Sequence, residues 1–359
     1  MIGVSLALLF VTFVYIFWKK TERKKPPGPT RLPLLGSVPF LTLKKGLSDW
    51  VLDQAVTKHK IATVGLGPRT IYVINDYELA KELLNKEELT GRHLGEFALA
   101  HRGFNGKRQG ILMTEGRRWF NQKKFGLKTL KDLGFGKQSL EELMNIEFEE
   151  MLNNFLSTNQ DFLLSTDFNV PIINILWQLV AGKRFDEDDP EGMEMVDSVN
   201  GTFKDWLKMD FLPLIILKTF SKITNYEENV KIFGIQKGYI FKQIEEHEKT
   251  RDPDHPRDFI DVYLHAIEND VDGSDFTKED LAASMLDFLH AGTETSSTTL
   301  KWIVLYLMIY PDIQEKCRKE IRSLIGSSLC SVTDMTNLPY VQVGNKLQFS
   351  TKCQFIIQF

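Results

Sequence analysis

DFLHAGTETSSTTLKW, residues Asp287 to Trp302, is the stretch on which the fold turns. It reads as part of a buried helix, yet its middle carries Gly292, Glu294, Thr295 and a run of hydroxyls, residue types that weaken a helix. Helical spacing puts Ala291 and Thr295 four apart on one face with Gly292 beside them. That leaves a small groove where a flat cofactor or a small molecule can press against the backbone. A Thr hydroxyl can bond the carbonyl four residues earlier, here Ala291, and so loosen the helix. Glu294 adjoins the groove, and a hydroxyl with a carboxyl there can act as a proton relay. The plain alternative is a threonine-rich turn that only satisfies its own hydroxyls.

A second segment, EGRRWFNQKKFGLKTLK from Glu115 to Lys131, sharpens the choice. Trp119 and Lys123 lie four apart on one helical face, so an indole N–H and an ammonium can together grip the carboxylates of a buried ligand. Arg117, Arg118, Lys124, Lys128 and Lys131 add a basic surface, which by itself is the usual solvated face of a helix.

The 359 residues are 43% hydrophobic and 11% aromatic, enough for a sizeable core. A formal net charge of -4 offers no whole-chain attraction for nucleic acid, and no recognition motif for it occurs. Ile2 to Trp18, IGVSLALLFVTFVYIFW, is apolar apart from Ser5 and Thr12 and is long enough to span a bilayer core as a helix. A cleaved signal peptide would want a basic start and a small-residue cleavage site. This segment instead runs into KKTERKKPPGP, so we read residues 2–18 as a membrane anchor. The basic cluster Lys19 to Lys25 then belongs on the cytosolic side. Three cysteines, at 317, 330 and 353, have neither zinc spacing nor a disulfide framework. Cys317 shares a helical stripe with Ile313, Ile321 and Leu324, which predicts a core position.

Prolines at 26, 27, 29, 33 and 39 make residues 19–40 a basic stop followed by a stiff hinge. IATVGL from Ile61 and TIYVIN from Thr70, joined by Gly67-Pro68-Arg69, predict a β-hairpin. From Asp76 onward the pattern is mostly helical. Ser139 to Leu156 lines up Leu140, Leu143, Met144, Phe148, Met151, Leu152 and Phe155 along one side. Pro311 ends the helix of the opening stretch, Asp312 is placed to cap the next, and Gly326 closes it. The expected fold is mainly α with a small β part.

Taken together, the residues resemble one family, the cytochrome P-450 haem-thiolate monooxygenases, in their animal microsomal drug- and steroid-metabolising branch. PPGPTRLPLLGS, LTGR, GRRWFNQKKF, GFGKQSLEE, LVAGKRFD, PRDFIDVYL, AGTETSSTT and LPYVQ follow that family's order, after an uncleaved anchor and a basic stop. The resemblance covers Met1 to Gln342. It implies a haem cofactor beneath the helix of Ala291 to Thr298, with Gly292 allowing close approach and Thr295 with Glu294 delivering protons to bound dioxygen. It also implies that Trp119 and Lys123 hold haem propionates, with Lys123 standing where the family usually has Arg and losing the bidentate fork. The basic helix surface of Arg117, Arg118, Lys124 and Lys128 resembles a docking face for an electron donor, an NADPH-cytochrome reductase or a small cytochrome. The implied substrates are lipophilic small molecules, and the implied location is the endoplasmic reticulum membrane, single-pass, with the body facing the cytosol.

The resemblance divides the chain into an anchor at 2–18, the stop and hinge at 19–40, the first two-thirds of a cytochrome P-450 domain at 41–342, and an unrelated tail at 343–359. After Gln342, where the family continues with a Glu-x-x-Arg helix and a Phe-x-x-Gly-x-Arg-x-Cys-x-Gly loop, the sequence reads VGNKLQFSTKCQFIIQF, and QFSTKCQF around Cys353 lacks that loop's Gly and Arg. The expectation is therefore a C-terminally truncated chain that lacks the iron thiolate and is inactive as it stands. The alternative is a membrane-bound, non-catalytic binding protein that competes for the reductase.

Overall fold

The computed structural model describes residues 25–342 except 34, 41–53, 68, 93, 105, 159–167, 187, 205–208, 210, 211, 270–275, 327 and 329. The predicted anchor at 2–18 and the tail at 343–359 lie outside the described residues. Among the described residues, no helix is long and apolar enough to cross a membrane. The chain is mainly helical with one small antiparallel sheet, and it divides into two compact units between Thr90 and Gly91.

The first unit holds α1 (Gln54–Thr57), β1 (Ile61–Leu66), β2 (Arg69–Ile74) and α2 (Tyr77–Leu84). The strands pair antiparallel from Ile61 opposite Ile74 to Leu66 opposite Arg69, with Gly67 at φ +61° opening the turn. Ala62 and Val64 alternate onto a small core with Val56, as the two-residue period requires. The proline-rich segment is more than a hinge, because it is laid along β1. The Thr63 N–H donates to the Pro27 carbonyl at 2.8 Å and the Ser37 N–H to that of Gly65 at 2.7 Å. Gly28 permits this approach, since a Cβ there would lie 2.0 Å from the Thr63 carbonyl oxygen.

The second unit contains α3 (Gly116–Asp132), α4 (Gln138–Thr158), α5 (Asn169–Ala181), α6 (Pro190–Gly201), α7 (Leu214–Thr219), α8 (Ser221–Thr224), α9 (Tyr226–Thr250), α10 (Phe259–Asn269), α11 (Lys278–Ile309) and α12 (Pro311–Leu324). α5 is apolar nearly all round and is buried accordingly, with Ile173 and Trp177 inaccessible to solvent. Together with Ile240 of α9, Tyr263 of α10 and Leu286 of α11 these side chains form the main core. α11 is the axis of the unit. Its side chains from Asp280 to His290 are buried apart from Phe288, whereas from Ala291 onward one flank is open. Thr277 caps it, its side chain accepting from the Asp280 N–H at 3.1 Å.

Three sequence expectations change. Tyr310, not Asp312, occupies the cap of α12, because Pro311 takes the first helical position, where its missing N–H costs nothing. Gly326 does close that helix, at φ +73° with its N–H on the Arg322 carbonyl. The Cys317 stripe is not core: α12 has no buried residue, and Leu324 is exposed. In α4 the apolar side is only partly covered, Met144 and Leu152 being exposed, and among its described side chains the buried one is Glu147.

A buried ion pair joins α9 to α10. The His247 Nε2 lies 2.9 Å from an Asp258 carboxylate oxygen and its Nδ1 lies 2.7 Å from the Gln243 carbonyl. Both partners only accept, so both ring nitrogens donate and the imidazole is charged. Burial alone would discharge it. The hydrogen bond and charge of Asp258, the Gln243 carbonyl and the charge of Asp261 outweigh burial and raise its pKa above the ordinary 6.5. The raised folded-state value makes this stabilisation complete below about pH 6.5 and removes it as pH climbs through the folded-state pKa. Urea unfolding between pH 6 and 9 is therefore expected to show a stability loss that His247→Gln abolishes, and identical slopes in the two proteins would exclude the charged imidazole.

Candidate active site

The open flank of α11 begins at the opening stretch. Ala291 and Thr295 are exposed there one turn apart, and the Thr295 hydroxyl donates to the Ala291 carbonyl at 2.7 Å. Thr299 repeats the pattern on the Thr295 carbonyl at 2.8 Å, so the helix carries successive back-bonded threonines along this flank. Glu294, partly buried, does not bond to Thr295; it accepts from the Thr298 hydroxyl at 3.1 Å. Gly292 faces α5: a Cβ there would lie 2.6 Å from a methyl of Leu176, so its bareness lets the two helices close.

On α3, the Lys123 ammonium sits over the Trp119 ring, 4.5 Å from its centroid, as four-residue spacing permits. α3 meets α11 where Gly126 faces Phe288, 3.3 Å from where its Cβ would stand. The Trp119–Lys123 pair and the Ala291–Thr295 strip thus belong to helices in direct contact. Arg118 departs from its expected place on the basic surface, because it turns inward and pairs with the buried Asp280. Arg117, Lys124 and Lys128 remain exposed.

The sequence reading missed the carboxylates that brace this region. Asp280 and Asp287, seven residues apart on one face of α11, hold the loop before α3. Asp287 pairs with Arg102, each side chain 3% exposed, and accepts the N–H groups of Ile111 at 2.6 Å and Leu112 at 2.8 Å. Asp280 takes Arg118 and the Gly110 N–H at 3.3 Å. Burial lowers the Arg102 pKa to about 10, still far above neutrality. Two aspartates at heptad spacing, flanking the largely apolar run Leu281 to Leu286, were the available signal.

His290 was missed as well. It is buried, with its Nε2 3.1 Å from Gln236 Oε1 and 3.3 Å from Thr202 Oγ1. The Thr202 hydroxyl donates to the Ser198 carbonyl at 3.0 Å, and Gln236 Nε2 donates to Thr202 at 2.8 Å. His290 therefore donates from Nε2, tying α6 and α9 to α11. Burial, helped by the charge of Arg102, lowers its pKa to about 3, so the ring is neutral at physiological pH.

Fold and site together define a helical protein built on one long helix that carries an exposed hydroxyl-bearing strip and packs against a second helix bearing a cation–indole pair. The family model for cytochrome P-450 matches residues 26–343. Among curated proteins, cytochrome P-450 2C29 of Mus musculus is 31% identical across 94% of this chain and 70% of its own length. Cytochrome P-450 2H2 of Gallus gallus is 31% identical across 94% and 70%. Cytochrome P-450 2E1 of Oryctolagus cuniculus is 32% identical across 95% and 70%. The chain belongs to the cytochrome P-450 family, in its animal drug-metabolising branch, and the cofactor of that family is haem.

The residues present fit such a group. The one flank of α11 left open carries small side chains and a hydroxyl, and a cation with an N–H donor stands on the adjoining helix.

Proposed function

We propose that the chain serves haem-dependent monooxygenation of lipophilic small molecules, with dioxygen and reductase-supplied electrons, at the endoplasmic reticulum membrane. The observation that carries this reading is the exposed Ala291–Thr295 strip on a helix that is otherwise buried as far as His290. Haem, when bound, supplies oxygen activation. Ala291 would lie against its face, and Trp119 and Lys123 would hold its carboxylates, the indole by one N–H and the ammonium by charge. Thr295 would pass protons, its hydroxyl oxygen keeping a free acceptor position while its hydrogen rests on the Ala291 carbonyl. Glu294, the neighbouring residue, would supply them, its carboxylate being held by the Thr298 hydroxyl. The exposed Arg117, Lys124 and Lys128 would receive an acidic electron donor.

Membrane attachment would come from residues 2–18. Exposed Ile215, Ile216, Phe220 and Ile223 on and beside α7 and α8, with Lys218 and Lys222 among them, have the composition of a surface resting on lipid. The sequence lacks the Cys loop that the resemblance implies for the iron thiolate. Cys317 lies on α12 with its pKa raised by burial, Cys330 is exposed outside any helix, and Cys353 is outside the described residues. The 359 residues by themselves are therefore expected to give no turnover. A second reading, a non-catalytic membrane protein competing for the reductase, draws on the basic face of α3, which needs no thiolate.

Haem titration followed by its absorption spectrum tests the site. Trp119→Phe and Lys123→Ala are each expected to weaken haem binding about tenfold, the loss of one charge-assisted hydrogen bond. On reduction under carbon monoxide, no thiolate-type band is expected. Unchanged affinity in both variants would remove Trp119 and Lys123 from the site, and a thiolate band would overturn the expectation of inactivity.

A further inference from the structure

The outward face of α3 is not an ordinary solvated face. Residues 117, 120, 124, 127, 128 and 131 fall on one arc of the helix, and all six are exposed. Four are cations, Arg117, Lys124, Lys128 and Lys131, none of which forms an ion pair among the described residues. The other two are large and apolar, Phe120 at 56% exposure and Leu127 at 60%, on the same side of the helix and about 10 Å apart along it, with Lys124 between them. On the opposite arc Gln122, Gly126 and Thr129 are buried, so packing gives no reason for Phe120 and Leu127 to point outward. A large aromatic ringed by uncompensated cations has the composition of a protein-docking centre, where one apolar anchor carries most of the energy and the charged rim steers the approach.

We propose that Phe120, with Leu127, is the apolar anchor of the electron-donor docking face, and that the partner is an acidic protein surface with an apolar patch inside its acidic rim. This rests on the reading of Arg117, Lys124 and Lys128 as that docking face. It assigns different work to the two residue types. Lysines hasten encounter and make it salt-sensitive, whereas Phe120 holds the complex once formed. A purely Coulombic partner would leave Phe120 idle.

The full chain, reconstituted in neutral lipid discs, is titrated with the soluble acidic flavin domain of the reductase at several salt concentrations, and both rate constants are measured. Phe120→Ala is expected to weaken binding about thirty-fold, chiefly through faster dissociation and with an unchanged salt dependence of association. Lys124→Glu is expected to slow association and flatten its salt dependence instead. If Phe120→Ala binds within twofold of the parent while Lys124→Glu is impaired, the anchor is refuted and the docking face stands. If both variants bind as the parent does, the docking-face reading fails and the anchor with it. Anionic vesicles are the second probe: loss of vesicle binding in Phe120→Ala, with flavin-domain binding intact, would reassign the residue to lipid. A fall in melting temperature that accounts for the lost binding would assign Phe120 to folding and overturn the proposal, so Phe120→Leu, which keeps apolar bulk, must retain most of the affinity.

Discussion

Asp287→Ala is expected to lower the stability of the helical unit by about 3–5 kcal/mol, the usual consequence of removing one partner from a fully buried ion pair. The guanidinium of Arg102 would keep its charge, since arginine does not deprotonate near neutrality, and it would have no anion left. The Ile111 and Leu112 N–H groups would lose their acceptor too. The loss should appear as a lower urea midpoint with little change in slope. Arg102→Met in the same background should recover part of it by removing the stranded charge, while leaving the two N–H groups unpaired. Gly110 adds an independent check. At φ +77°, with Asp287 Oδ2 2.6 Å from where a Cβ would stand, Gly110→Ala strains the backbone and pushes on the same carboxylate. A cost below about 1 kcal/mol for Asp287→Ala would mean that Arg102 finds water or another anion.

Glu147→Ala is the second large effect, expected at about 2–4 kcal/mol. Glu147 is buried in α4, yet it satisfies three side chains. Arg184 Nε reaches it at 2.5 Å, and the amides of Asn174 and Gln178 each donate at 3.1 Å. Truncation would strand both α5 amides, but Arg184, itself 40% exposed, keeps its second partner Glu150, which is why the upper range for buried pairs is not expected. Glu147→Gln, which keeps the shape and one acceptor, should cost less. The Glu147 and Asp287 networks share no partner, so the double variant should lose the sum of the single losses to within about 0.5 kcal/mol. Calorimetry or urea unfolding of the four proteins checks this.

What was legible in the sequence depended on how local its signal was. The hairpin was read correctly because β-branched alternation and Gly67 are short-range features, and the structure moves its second strand by only one residue. That Trp119 and Lys123 share a helical face followed from four-residue spacing, though not the ammonium's seat on the ring, and the Thr295 bond to Ala291 followed from threonine chemistry. Less visible were side chains whose partners lie far along the chain. Arg118 looks like its basic neighbours until Asp280, 162 residues away, is brought beside it. Glu147 sits among glutamates that face solvent, and nothing within one turn marks it as the buried one. The Cys317 stripe had helical period, yet Ile313, Cys317 and Ile321 are only partly covered and Leu324 is exposed, because period alone does not bury a face.

The asymmetry of α11 bears on how the chain is made. The main core draws on residues from Phe104 to Leu289, so every side chain it needs has been synthesised before the open strip begins at Ala291. A chain emerging from the ribosome N-terminus first can close this core while the strip and everything beyond it are still in the exit tunnel or unmade. Folding of the scaffold and completion of the open strip are thereby separated in time, with the long helix as the seam between them.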